Sequence, residues 1–407
     1  MLMATWAIVD LLELIYLLGN KESSQLSRQI VISYSIRVAS VLSLMLAAAR
    51  NWQLVGTTDL TQIAQGAGFL FLLAAGLRLG VFPLNLPFQQ EPELRRGVGN
   101  VIRLAPIAAS MSLLARLPSG IITADLRNWV PLFHGLLLIA ALYASFRWLT
   151  ALDAITGRPF WIIGWSALAA ASVINGAPKA SLAWGAVLIL PGSLLFLYYP
   201  RIQRMNFLLY FGLIGLIGLP FTPAASGWAG IMAGGFTIWT ILYTLTHAIM
   251  VLGYLRRTLA PGSETSRLES WARLVYPLGL IIIIQAIIAL GLIGWPGSLT
   301  LGAWWLPVAS LLLVAAAFFA VQRLGVDPAN IKMPSSSPLN TILDRILPWI
   351  ESIFRLEWLY RLVWRIFQVI NTLLQLFSTI IEGEGGILWT LLLLVLLISI
   401  ISTIGAN

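Results

Sequence analysis

Apolar residues recur along the chain in runs near twenty positions long, separated by short polar stretches that hold most of the charge. Runs of that length match the span of a helix across a hydrocarbon layer. A chain immersed in lipid satisfies its backbone as helices or as closed barrels. The pattern predicts an all-α polytopic membrane protein of about twelve transmembrane helices, near 3–19, 30–49, 64–88, 99–116, 128–149, 159–176, 180–199, 206–232, 235–255, 274–294, 303–323 and 386–403. Two of these carry Gly/Pro interruptions, LRLGVFPLNLPF at 77–88 with Pro83 and GLIGLPFTPAASGWAG at 215–230 with Pro220 and Pro223. Proline removes a backbone donor and clashes one turn back. Such a break survives in lipid only where the freed carbonyls meet protein or water. Both helices are therefore expected to be discontinuous. Paired broken helices in two halves of a chain point to transport architecture, whereas one break alone reads equally as a kink that shapes packing.

The pattern changes after GVDPANIKMPSSSP at 325–338. In the segment 339–386, Asp344, Arg345, Glu351, Arg355, Glu357, Arg361 and Arg365 are threaded among Leu, Ile, Phe and Trp at helical spacing. A helix so charged lies better along the membrane interface than across it. About 44 residues at ~1.5 Å each make a rod on the order of 65 Å long, kinked at Pro348. The expected organisation is four segments: 1–126 and 127–260 as two repeats, 261–337 as two extra spans with a linker, and 338–407 as a long amphipathic lateral helix followed by a terminal anchor. Such a rod serves as a strut across neighbouring helices or subunits, or as a simple interfacial anchor.

Composition agrees. Apolar residues make up 59% of the 407 and charged ones 10%, against about 25% charged in a soluble domain. A water-facing globule is excluded. The chain has no cysteine, which removes disulfides, iron–sulfur ligation and thiol catalysis. His134 and His247 have no acid at ligand spacing, so neither a metal nor a cofactor is expected. The net charge of +9 sits in short loops and at helix ends, which is a membrane-orientation signal and not a nucleic-acid one. Odd-numbered loops hold twelve Lys/Arg and even-numbered ones hold Arg50, Arg116, Arg127 and Lys179. That asymmetry places the odd loops and the lateral helix in the cytoplasm, and both termini outside, in an inner (cytoplasmic) membrane. The first apolar stretch lacks a basic flank and contains Asp10 and Glu13, so it reads as a spanning helix and not as a cleavable leader.

Ionisable residues at the membrane centre cost about 2.5–3.5 kcal/mol each, which makes each one a candidate ion-translocation residue. Asp10 and Glu13 share a face of the first helix, and adjacent like charges suit proton uptake and release. Arg37 lies in the second span, Arg78 just before the first break and Arg103 in the fourth span. Pairing with an acid would neutralise them, although an arginine itself carries no mobile proton. His134 and His247 titrate near neutrality or serve as packing residues. Residues 180–197 and 206–246 contain no Asp, Glu, Lys, Arg or His, so no continuous charged axis runs the whole length.

The stretch GLRLGVFPLNLPFQQEPELRRGVGNVIRLAPIAASMSLLARLP (76–118) resembles the broken helix, and the helix after it, of the antiporter-like membrane subunits of respiratory complex I and Mrp-type cation/proton antiporters. RWLTALDAITGRPFWIIGWSALAAASVI (147–174), with Asp153 and Arg158, is similar to that family's next loop and helix, and LIGLIGLPFTPAASGW (213–228) to its second broken helix. The resemblance implies an N-terminally shortened version of the large complex I subunit, with a neighbouring chain supplying the missing helices. It departs from the family where a glutamate follows a tryptophan, since here Ala7 follows Trp6, and where Arg78 and Arg103 replace lysine or histidine. The implied partners are other membrane subunits, the lipid bilayer, and protons or Na+. Three readings stand: a membrane-arm subunit of an NADH:quinone oxidoreductase assembly with no redox centre of its own, an Mrp-type Na+/H+ antiporter subunit, or a scaffold that conducts nothing.

Overall fold

The computed structural model describes residues 2–19, 24–82, 84–86, 96–197, 207–259, 270–293, 304–323 and 386–404, with 361, 364, 365, 368, 369, 371, 372 and 375. Pro83 and most of the lateral segment lie outside the described residues. The eight described positions between 361 and 375 have helical backbone. The chain divides into two compact units, Met1–Phe354 and Arg355–Asn407.

The first unit is helical, in the order α1 (Leu2–Gly19), α2 (Ser24–Val55), α3 (Gln65–Leu79), α4 (Arg96–Ala115), a 3-10 turn (Ala124–Trp129), α5 (Val130–Thr150), α6 (Ala154–Ile174), α7 (Ala180–Leu197), α8 (Phe207–Ile217), α9 (Ala225–Met232), α10 (Ile238–Leu259), α11 (Ser270–Ile293) and α12 (Trp305–Arg323). In the second unit α13 covers Gly386–Ile404. Among the described residues no strand occurs beyond one isolated bridge, Val81 to Leu84. Among the described residues, four helical stretches are long and apolar enough to cross a membrane: Ile32–Val55, Ala124–Thr150, Ala180–Leu197 and Ile238–Leu259. Shorter apolar helices accompany them, among them Gln65–Leu79, Phe207–Ile217 and Pro277–Ile293.

The centre is α6, which is buried at every position from Gly157 to Ile174. A helix apolar on all sides has no solvent face to offer and ends up enclosed. It touches α3, α4, α5, α7, α9 and α10. Its start is fixed by a capping box: Asp153 accepts from Thr156 N at 2.6 Å, and Thr156 Oγ1 accepts from Asp153 N at 3.3 Å. The reciprocal pair satisfies two end donors that the helix leaves open. α2 is longer than the expected 30–49, because its 32 residues continue into polar sequence at both ends. Helical hydrogen bonding does not stop at the edge of the apolar run.

Both expected interruptions bear on the site. α3 stops at Gly80, whose φ of 77° is left-handed and easily adopted without a Cβ. Its freed carbonyls find donors in protein: Gly76 O accepts from Val81 N at 3.1 Å, and Leu77 O from Asn85 Nδ2 at 3.1 Å. The expected span 206–232 is broken between Ile217 and Ala225, with Pro220 and Pro223 in the intervening turn. That turn begins at Gly218, φ 77°, where a Cβ would run into the Trp228 indole.

Candidate functional site

Trp6, Asp10 and Glu13 lie along one side of α1 at helical spacing, and that side faces inward. Packed around it are Arg37 of α2, Arg78 in the last turn of α3 and Arg103 of α4. The five charged residues predicted from the sequence therefore converge, each between 2% and 8% exposed. Arg78 grips Asp10 with both terminal nitrogens, Nη1 to Oδ2 at 2.9 Å and Nη2 to Oδ1 at 2.5 Å. Its guanidinium also lies over the Trp6 ring, 4.5 Å from the centroid, a cation–π contact that gains strength away from water. Glu13 accepts from Arg103 through Oε1 and from Arg37 through Oε2. Arg37 also approaches Asp10 at 3.7 Å.

Two carboxylates thus serve three guanidiniums. Taking an ion out of water costs several kcal/mol, which only close and multiply bonded partners offset. The planar fork of arginine matches a carboxylate better than a lysine ammonium does. Arg37 Nη1 lies between Asp10 and Glu13, and each carboxylate has one further arginine, Arg78 for Asp10 and Arg103 for Glu13. Chemically this is a charge node whose acids carry any mobile proton, because a guanidinium stays protonated at accessible pH.

Another buried arginine, Arg158, is one that sequence reasoning counted among loop charges. Arg158 lies in the second turn of α6, 2% exposed, and donates to Asn100 Oδ1 at 2.5 Å. Asn100 sits three positions before Arg103 on α4, on the same side of the helix. That spacing was the available signal. Arg256 and Arg257 likewise belong to the last turn of α10. Arg256 donates to Leu149 O and Arg257 to Trp148 O, at the C-terminal end of α5, where exposed carbonyls favour cations.

The second half is built otherwise. Trp148, Trp161, Trp165, Trp184 and Trp228 touch in series, with ring centroids 4.9, 5.3, 5.7 and 5.7 Å apart, and all are fully buried. His247 lies against Trp165, Trp184 and Trp228. Its Nε2 lies 2.9 Å from Leu216 O and its Nδ1 2.7 Å from Ser310 Oγ. A carbonyl only accepts, so Nε2 carries the hydrogen and the ring caps a carbonyl at the second break. His134 is not part of the charge node; it lies on α5, with Nδ1 3.1 Å from the Tyr243 hydroxyl of α10.

The arrangement defines a class by fold: a bundle of apolar helices with, among the described residues, four stretches long enough to cross a membrane. Two solved structures carry that fold. A chain of the Mrp complex from Dietzia sp. DQ12-45-1b aligns with 100% of this chain and 49% of its own length, at a TM-score of 0.66 and 16% identity. A chain of respiratory complex I from Thermus thermophilus with bound NADH aligns with 76% of this chain and 74% of its own length, at a TM-score of 0.51 and 18% identity. The chain thus spans about half the length of the Mrp-complex chain. No protein-family model and no curated protein matches the sequence.

Proposed function

We propose that the chain is an antiporter-like subunit of a multi-subunit, ion-translocating membrane complex, nearer to the Mrp type than to complex I. The likeness to the Mrp chain extends over the whole sequence and that to complex I over 76% of it, which supports this preference. On this reading α1 to α13 make twelve crossings, α8 and α9 being halves of one. The termini face outward, and the segment before α13 braces neighbouring subunits from the cytoplasmic side.

The observation that carries the proposal is the Asp10–Glu13–Arg37–Arg78–Arg103 node beside the first break. Five buried charges are expensive in lipid, and packing alone does not require them. Proton or cation movement is assigned to this node, while the Trp148–Trp161–Trp165–Trp184–Trp228 series packs the second half. The test is cation-dependent proton movement in vesicles holding the assembled complex. The Glu13→Gln/Arg37→Gln double variant keeps the net charge of the node and removes one acid. Transport is expected to fall while the partner chains still co-purify. Unchanged transport with unchanged assembly would leave the scaffold reading in its place.

A further inference from the structure

A second polar site lies away from the charge node. A cavity of about 640 Å3 opens between α5, the end of α6 and the start of α10, beside the 233–237 turn. Polar groups line it: His134, Asn175, Thr237, Thr240 and Tyr243, with Arg127 at the rim. The cavity is large enough for many waters, each of which needs only ~30 Å3, and it offers the several polar partners that a bound water requires.

The hydrogen bonds orient the floor. The Tyr243 hydroxyl lies 3.4 Å from His134 O, to which it donates, and 3.1 Å from His134 Nδ1. Assigning the phenolic hydrogen to the carbonyl makes Nδ1–H the donor to the phenolic oxygen. Nε2 is then the basic nitrogen, on the ring edge that meets the Asn175 side chain. Trp239 stacks on the ring at 5.8 Å and 19° and fixes its plane. Asn175 is itself held, donating to Ile231 O at 2.9 Å. Thr240 Oγ1 donates to Gly235 O at 3.2 Å and accepts from Thr237 N at 3.2 Å, which shapes the turn at the mouth.

Among the ionisable residues on elements packed against α5, Tyr243 of α10 and Arg127 of the 3-10 turn line the cavity. Asp125 of the same turn, Arg158 of α6 and His247, Tyr254, Arg256 and Arg257 of α10 do not. Arg127 disfavours a bound metal cation, and a neutral imidazole between a phenol and an amide favours proton exchange with water.

We propose that this cavity is a water-filled vestibule, open on the side of the 117–129, 175–179 and 233–237 connections, in which His134 takes up and releases a proton through Nε2. The bond formed is N–H on Nε2, the one broken is O–H of hydronium, and water is the product. The transport reading supplies only a use for that proton; water access stands or falls by itself.

The chain has two histidines, so diethylpyrocarbonate gives a test with an internal control. It modifies neutral imidazole nitrogen. In the intact complex in lipid, the His134 peptide is expected to be carbethoxylated at a rate that falls as the pH is lowered. His247, 0% exposed with both nitrogens bonded, is expected to react only after denaturation. The absence of cysteine allows a second measurement. Thr240→Cys should react with a membrane-impermeant methanethiosulfonate at least about tenfold faster than Leu245→Cys on the outer surface of α10, because a thiol in apolar surroundings holds less thiolate. The reaction should occur from the outer face of the membrane. Equal protection of both histidines in the native complex, or labelling of Thr240→Cys no faster than the control or only from the inner face, overturns the proposal. Both readouts are independent of whether the complex transports ions.

Discussion

Replacing Glu13 by Gln should destabilise the protein more than replacing Arg37 by Gln, because the node has fewer acids than bases. With both carboxylates and all three guanidiniums ionised, the five residues sum to +1. Glu13→Gln raises that to +2 and strips two arginines of their shared acceptor. Arg37 retains only Asp10 among the node's acids, at 3.7 Å, and Asp10 is already gripped by Arg78. Arg37→Gln instead brings the sum to zero and leaves each carboxylate with an arginine, Asp10 with Arg78 and Glu13 with Arg103. Arg37 is also the most exposed of the five, at 8%.

The magnitudes separate the two variants. Removing one partner of a buried ion pair costs about 3–5 kcal/mol. Losing one charge-assisted hydrogen bond while both carboxylates stay paired costs about 1.5–3 kcal/mol. The double variant returns the sum to +1 and should recover part of the Glu13→Gln loss. Unfolding in mixed micelles of rising SDS fraction, followed by circular dichroism, gives the free energies. An Arg37→Gln cost equal to or above that of Glu13→Gln would refute the charge argument. So would a double variant that is additive to within about 0.5 kcal/mol, the behaviour of uncoupled sites.

Two further outcomes concern the second half. Gly218→Ala forces a left-handed φ of 77° on a residue with a Cβ and drives that Cβ into Trp228; the backbone part alone costs about 1–2 kcal/mol. Gly135→Ala, in α5 with open space around it, should be neutral or stabilising by up to about 1 kcal/mol, so thermal midpoints should move in opposite directions. His247→Leu leaves Leu216 O without the ring donor in a tryptophan-lined site, at about 1–3 kcal/mol. His247→Gln, whose amide donates too, should recover part of the midpoint, and equal losses in the two variants would show that the ring's volume matters and its hydrogen bond does not.

The apolar runs disclosed the helices because a span must be continuously apolar, whatever its neighbours are. They disclosed the ends less well: α2 begins at Ser24 and finishes at Val55, since water satisfies the outer turns as well as lipid tolerates the inner ones. Asp10, Glu13, Arg37, Arg78 and Arg103 were legible as costly residues, but the pairing of Arg78 with Asp10 spans 68 positions and depends on α1, α2, α3 and α4 being neighbours. Periodicity within one helix does not carry that. Arg158 was misplaced because a basic residue near a helix start looks like a loop charge; its burial follows from α6 being enclosed on every side. The tryptophan series was invisible for a related reason. Trp148, Trp161, Trp184 and Trp228 come from four helices, and an aromatic residue in a span has no charge to mark it.

The two breaks solve one problem in opposite ways, and that contrast locates what the chain can do. At the first, Gly76 O and Leu77 O are satisfied by backbone and by Asn85, which leaves Arg78 in the last turn of α3 to engage Asp10. At the second, Leu216 O takes the ring of His247 and Leu219 O the hydroxyl of Thr222 at 2.6 Å. Neutral donors there are used up on the backbone, inside a wall of indole rings. Charge relay needs ionisable groups with water or one another within reach. Those groups run from Asp10 to Arg158 and then give way to tryptophan. Beyond the His134–Tyr243 pair on α10, His247 sits in its tryptophan cage with both ring nitrogens bonded.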